Sequence, residues 1–230
     1  MTAPIAVALD ADDLETACAW ATAVGPHVST VKVGLELYLR HGADAVRKAR
    51  EASGGRDVFL DLKLHDIPNT VAGAARAVRD LAPTYLTVHA SGGAAMVAAA
   101  VEALPETRVV GVTVLTSLGE ADLAAVGLLG PARDAVRRLA ALAVGAGARA
   151  LVCSPQEVAD VRREVGPEVT LITPGVRPPG AATGDQSRVA TPRQALADGA
   201  DLLVIGRPIT GAPDPGTAAR ALAESLISAQ

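Results

Sequence analysis

The chain is poor in aromatic side chains, with one Trp, two Tyr and one Phe among 230 residues. That is too few to build a stacking platform for bases, and a net charge of −4 leaves no basic footprint, so nucleic-acid binding is not expected. Cysteine is equally scarce. Cys18 and Cys153 stand far apart in sequence, with no CxxC or Cys/His spacing, which argues against a metal site and fits two reduced thiols of a cytoplasmic protein. Long apolar runs are missing too. The best membrane candidate, residues 139–148, is too short to cross a bilayer and is bounded by Arg138 and Arg149. Met1-Thr2-Ala3-Pro4 has no basic region ahead of an apolar stretch, so no signal peptide is expected.

What the chain does have is aliphatic. Half of its residues are hydrophobic and Ala dominates, enough for one large core. Its length suits one α/β barrel domain over residues 1–230. Short apolar runs predict strands over 5–9, 28–33, 58–62, 85–88, 109–114, 150–152, 169–173 and 202–205. Segments with helical spacing separate them, at 13–23, 35–50, from 71 onward, 92–104, 122–126, 131–144, 155–165, 191–198 and 215–227. Each run is almost continuously apolar, as a parallel strand covered on both faces must be. Eight such units predict a single-domain (β/α)8 TIM barrel. A doubly wound open sheet would carry a Gly-rich turn after its first strand, where this chain has Asp10-Ala11-Asp12-Asp13.

The third strand runs directly into Asp61-Leu62-Lys63-Leu64-His65-Asp66-Ile67-Pro68-Asn69-Thr70. Charges of alternating sign at the end of a buried strand are costly to desolvate, which marks this stretch as a chemical centre. Barrel active sites lie at the C-terminal strand ends. Asp61 and Lys63 share one parity and are expected to face the barrel mouth, with Leu60, Leu62 and Leu64 facing the helices. Lys32, between Val31 and Val33, makes the same inward choice. Alternative readings exist for each residue. Asp61 and Lys63 could form an ion pair that plugs the barrel. Asp66 could help cap the helix that begins near Pro68. Asp10 could cap the first helix, although Asp12 and Asp13 are better placed. His89 reads as a hydrogen-bonded core histidine.

A phosphate site is legible separately. Pro174-Gly175-Val176-Arg177 and Val204-Ile205-Gly206-Arg207-Pro208 close the seventh and eighth strands, where barrels often bind phosphate. Gly206 would let the backbone approach the group, and Arg207 would pair with its oxygens. The loop from Arg177 to Arg188, with Gly180, Gly184 and Gln186, reads either as a lid or as a solvated surface loop.

These residues together resemble the orotidine 5′-monophosphate decarboxylase family, in its compact bacterial branch. Asp61-x-Lys63-x-x-Asp66 alone is shared with sugar-phosphate decarboxylases and aldolases of related barrels. The continuation Ile67-Pro68-Asn69-Thr70 is far more specific. So are Ala8-Leu9-Asp10, Val31-Lys32-Val33-Gly34, residues 112–117 and Gly184-Asp185-Gln186. The resemblance implies decarboxylation of orotidine 5′-monophosphate to UMP without metal or cofactor. It makes Lys32, Asp61, Lys63 and Asp66 the catalytic array, with Lys63 as proton donor. It also implies a homodimer in which Asp66, Ile67 and Thr70 reach the neighbouring site. Asp10 and Lys32 would hold the ribose, Gln186 would bridge base and phosphate, and Arg177, Gly206 and Arg207 would take the phosphate. Thr116 is expected at the pyrimidine, with Thr113 as the competing choice. The rival readings are a Mg2+-dependent sugar-phosphate decarboxylase or aldolase, and a non-catalytic nucleotide-binding barrel.

Overall fold

The computed structural model describes residues 2–128, 130–177 and 190–227. Eight parallel strands close into a barrel in chain order, β1 next to β8. They are β1 Ala3–Ala8, β2 Val28–Gly34, β3 Asp57–Leu64, β4 Tyr85–His89, β5 Arg108–Val112, β6 Ala150–Val152, β7 Thr170–Thr173 and β8 Leu202–Ile205. The helices are α1 Leu14–Val24, α2 Leu35–His41, α3 Ala43–Ala52, α4 Pro68–Ala77, α5 Ala94–Ala103, α6 Glu120–Ala125, α7 Ala132–Gly145, α8 Val158–Val165, α9 Pro192–Ala197, α10 Arg207–Thr210 and α11 Pro215–Ile227. Among the described residues, no helix is long and apolar enough to cross a membrane.

Local chemistry explains where the elements begin and end. Asp13 caps α1 by accepting from the Thr16 N–H at 2.8 Å. Thr191 caps α9, with Pro192 in its first turn. The helical segments expected over 35–50 are two helices, α2 and α3. Gly42 divides them with a φ of 55°, a conformation only glycine adopts freely. The helix expected from Pro155 starts at Val158; residues 154–157 form a turn, closed by the Glu157 N–H donating to Ser154 O at 3.0 Å.

Strand parity divides the core in two. Val31, Val33, Val58, Leu60, Leu86 and their equivalents face outward into the layer shared with the helices. Ala6, Phe59, Tyr85, Val110, Ala150, Ile172 and Leu202 fill the barrel interior. Phe59 and Tyr85 meet there edge to face, with centroids 5.9 Å apart. One step further along the strands, the interior positions become polar. That step carries Lys32, Asp61 and Thr87, and it forms the floor of the barrel mouth.

Candidate active site

Four charged side chains form a row of alternating sign. Lys32 Nζ lies 3.2 Å from Asp10 Oδ1 and 3.5 Å from Asp61 Oδ2. Lys63 Nζ takes the other Asp61 oxygen at 2.8 Å. The row therefore runs Asp10, Lys32, Asp61, Lys63, across the ends of the first three strands. Lys32 and Asp61 are its buried middle, with side-chain exposures of 9% and 12%. Burial alone would raise the Asp61 pKa. The ammonium groups of Lys32 and Lys63, and hydrogen bonds from Lys63 and Thr87, outweigh it and hold the carboxyl below the usual carboxylate range. A carboxylate that stays ionised in this setting keeps both ammonium groups in place.

Two cavities share Asp61, Pro174 and Val204 as a common wall. The smaller, of about 190 Å³, is lined mainly by apolar groups of Phe59, Val112, Val114, Leu115 and Val152, with Thr116 and Lys63 at its polar side. The larger, of about 460 Å³, is lined by Asp10, Lys32, Arg177, Gly206, Arg207 and Thr210. One lobe thus suits a flat apolar ring and the other an anion, with the charged row between them. At Gly206 an added Cβ would meet only Ala8 Cβ, at an ordinary 3.5 Å. The space left by the missing side chain therefore belongs to the cavity rather than to protein packing.

Most residues singled out from the sequence converge here. Asp10 pairs with Lys32, and Asp13 caps α1. Thr113 is buried and donates to Val152 O at 2.8 Å, whereas Thr116 lines the apolar lobe. Asp66 does not cap α4; its carboxylate accepts from the adjacent Ile67 N–H at 2.6 Å. Asp66, Ile67 and Thr70 are all exposed and do not join the row within this chain. His89 is not a core histidine. It is half-buried, with its ring 5.3 Å from that of His65, and burial followed by the His65 and Lys63 charges lowers its pKa. Gln186, Gly180 and Gly184 lie outside the described residues.

Three features of the site were not read from the sequence. A Cβ at Gly34 would fall 2.6 Å from Asp10 Oδ1 and 3.0 Å from Lys32 Nζ, so a side chain there would push the Asp10–Lys32 pair aside. Thr87, inside an apolar strand, hydrogen-bonds to both Asp61 and Lys63. The strand itself is irregular at Lys63, whose φ is 49°. A lone hydroxyl in the run Tyr85-Leu86-Thr87-Val88 was the available signal for Thr87. No local pattern marks the contact that Gly34 makes room for.

A closed parallel barrel with an Asp–Lys–Asp–Lys row at its C-terminal mouth, flanked by an apolar lobe and a cationic lobe, defines a TIM-barrel protein with a site for an anionic small molecule. The chain belongs to the orotidine 5′-phosphate decarboxylase / HUMPS family, whose model matches residues 3–222. An orotidine 5′-phosphate decarboxylase from Thermobifida fusca is 75% identical over 229 residues, covering 98% of this chain and 97% of that protein. One from Frankia casuarinae is 59% identical over 99% of this chain and 89% of that protein. The crystal structure of orotidine 5′-phosphate decarboxylase from Lactobacillus acidophilus superposes with a TM-score of 0.84 at 35% identity, over 97% of this chain and 99% of that one.

Proposed function

We propose that this chain decarboxylates orotidine 5′-monophosphate to UMP in pyrimidine biosynthesis, the reaction for which its relatives are named. The observation that carries this reading is the Asp10–Lys32–Asp61–Lys63 row lying between an apolar and a cationic lobe. The pyrimidine enters the lobe of Phe59, Val112, Leu115 and Thr116. The phosphate enters the other, at Arg177, Gly206 and Arg207. Asp10 and Lys32 take the ribose hydroxyls between them.

Breaking the bond from C6 to the carboxylate releases CO2 and leaves its electron pair on C6. That pair lies in the ring plane, where the π system does not delocalise it. A fixed ammonium beside C6 is the natural stabiliser, and Lys63 then donates the proton that forms the new C–H bond. Solvent reprotonates the lysine afterwards. Two unit charges about 4 Å apart interact by roughly 4 kcal/mol at an effective dielectric of ~20. Enzymes lower barriers by about 8–23 kcal/mol, so one ammonium is not sufficient. The phosphate grip supplies further binding energy that organises the reacting end. Asp61 holds Lys63 charged and aimed from one side, and Asp66 of a second copy does so from the other.

The dimer is part of this reading. Asp66, Ile67 and Thr70 sit on an exposed run immediately beyond the charged strand end, and Ile67 is 66% exposed. A two-fold partner would bury this run and deliver Asp66 to the row. A divalent-metal mechanism at Asp61 fits less well, because both carboxylate oxygens already face ammonium groups that a cation would displace. The test is turnover of orotidine 5′-monophosphate by the purified protein in EDTA, followed as UMP formation. Sustained turnover supports the reading; no turnover, or turnover only on adding Mg2+, overturns it.

A further inference from the structure

Strand β3 is longer than its neighbour where the chemistry sits. Leu60 pairs with Leu86 and Leu64 pairs with Val88, so Asp61, Leu62 and Lys63 lie opposite Thr87 alone. The surplus is taken up at Lys63, whose φ of 49° is in the left-handed region. That conformation is unfavourable for a non-glycine residue and persists only where its surroundings hold it. A bulge also lifts peptide groups off the ladder, and a buried N–H so displaced needs another acceptor.

Thr87 meets that need. The Lys63 N–H donates to Thr87 Oγ1 at 2.8 Å. The same hydroxyl donates its proton to Asp61 Oδ1 at 3.0 Å, the oxygen that also accepts from Lys63 Nζ at 2.8 Å. Thr87 is fully buried, so solvent does not substitute for it. Thr113 offers a contrast: its hydroxyl donates to the Val152 carbonyl at 2.8 Å and touches no charged group through that bond. The hydroxyl of Thr87 instead joins the backbone of one site residue to the side chain of another.

We propose that Thr87 is a positioning residue for Lys63, its hydroxyl fixing the bulge and the Asp61 carboxylate together so that the ammonium is aimed into the cavity. This rests on Lys63 being the proton donor. The charged and titratable groups around Asp61 are Lys32 from β2, Lys63 from β3, His89 from β4, and Asp10, Arg177 and Arg207 at the cavity wall. The hydrogen bond from Thr87 is one of the interactions that lower the Asp61 pKa.

The experiment compares Thr87→Val, which keeps the shape without the hydroxyl, with Thr87→Ser, which restores it. The expected result is a fall in kcat of roughly 10- to 100-fold for Thr87→Val, the scale of an ångström-level misplacement, with KM changed less than about threefold. Thr87→Ser should return kcat to within about threefold of wild type. In the unliganded protein, the carboxyl 13C signal of Asp61 should titrate at higher pH in Thr87→Val than in wild type. Unchanged kcat in Thr87→Val overturns the proposal. So does loss of kcat that serine fails to rescue, or an Asp61 titration that does not move. Should Thr87→Val not fold, Thr87→Ala takes its place, and failure of both makes Thr87 a folding residue and overturns the proposal. If the wild-type protein does not turn over orotidine 5′-monophosphate, the proposed reaction falls. The Asp61 titration then still decides whether Thr87 controls the pair.

Discussion

Lys32 Nζ lies 3.5 Å from Asp61 Oδ2, on the opposite side of the carboxylate from the oxygen that Lys63 approaches at 2.8 Å. One carboxylate thus separates two ammonium groups in a buried floor. Left without it, the two positive charges would repel in a medium that screens them poorly.

Lys63→Ala should lower kcat by about 10³-fold or more, in line with the loss of a positioned proton donor and of charge stabilisation. UMP binding should weaken by less than about tenfold, because the phosphate and ribose contacts remain. Steady-state kinetics and UMP titration calorimetry measure the two effects. A variant with near-normal kcat would rule out Lys63 as the donor.

Gly34→Ala should disturb the Asp10–Lys32 pair. Its Cβ would fall 2.6 Å from Asp10 Oδ1, and the half-exposed Asp10 side chain can swing away into solvent. KM should rise by roughly tenfold, equivalent to about 1.4 kcal/mol of binding, with thermal stability little changed. An unchanged KM would separate Asp10 from substrate binding.

Asp66→Asn and Lys63→Ala should complement each other when mixed and allowed to exchange subunits. In a two-fold dimer sharing its sites, a hybrid has one intact site and one doubly altered one. Random pairing then restores about one quarter of wild-type activity. No recovery on mixing, together with a fully active monomer by light scattering, would remove the shared site.

Asp61 also makes stability depend on pH. Its pKa in the folded protein lies below its value in the unfolded chain. The stability this contributes is complete above about pH 4, the ordinary carboxylate range, and is lost as the pH falls through the lower folded value. In urea denaturation across this range, the gap between wild type and Asp61→Asn should be widest near neutrality and close on acidification.

Phe59→Ala should be among the most damaging core changes. Phe59 is 1% exposed, packs against Tyr85 and lies beneath the apolar lobe. A loss of about 3–5 kcal/mol is expected for such a truncation, measured by chemical denaturation.

The barrel itself was legible because each strand is an almost unbroken apolar run, a pattern required only of strands covered on both faces. The inward direction of Lys32 and Asp61 followed from alternation along regular strands. The same count put Lys63 on the correct side across a bulge that the sequence does not announce. Parity predicted its destination, although the backbone between Asp61 and Lys63 is not a regular strand. Helical segments were expected over 35–50, but helical spacing continues on both sides of Gly42, so the point at which α2 ends was not visible.

His89 was misread because a lone histidine after a strand carries no information about its neighbours. Its half-buried place beside His65 follows from β3 and β4 ending side by side. The amino-acid sequence by itself determined the βα alternation, the charged strand end and the basic residues after the last two strands, since these depend on local periodicity and composition. Only the tertiary structure decided that Asp10, Lys32, Asp61 and Lys63 form one row, that Gly34 clears space for it, and that Thr87 binds two of its members. Those relationships join residues on different strands, and closure of the barrel is what brings their ends within hydrogen-bonding distance.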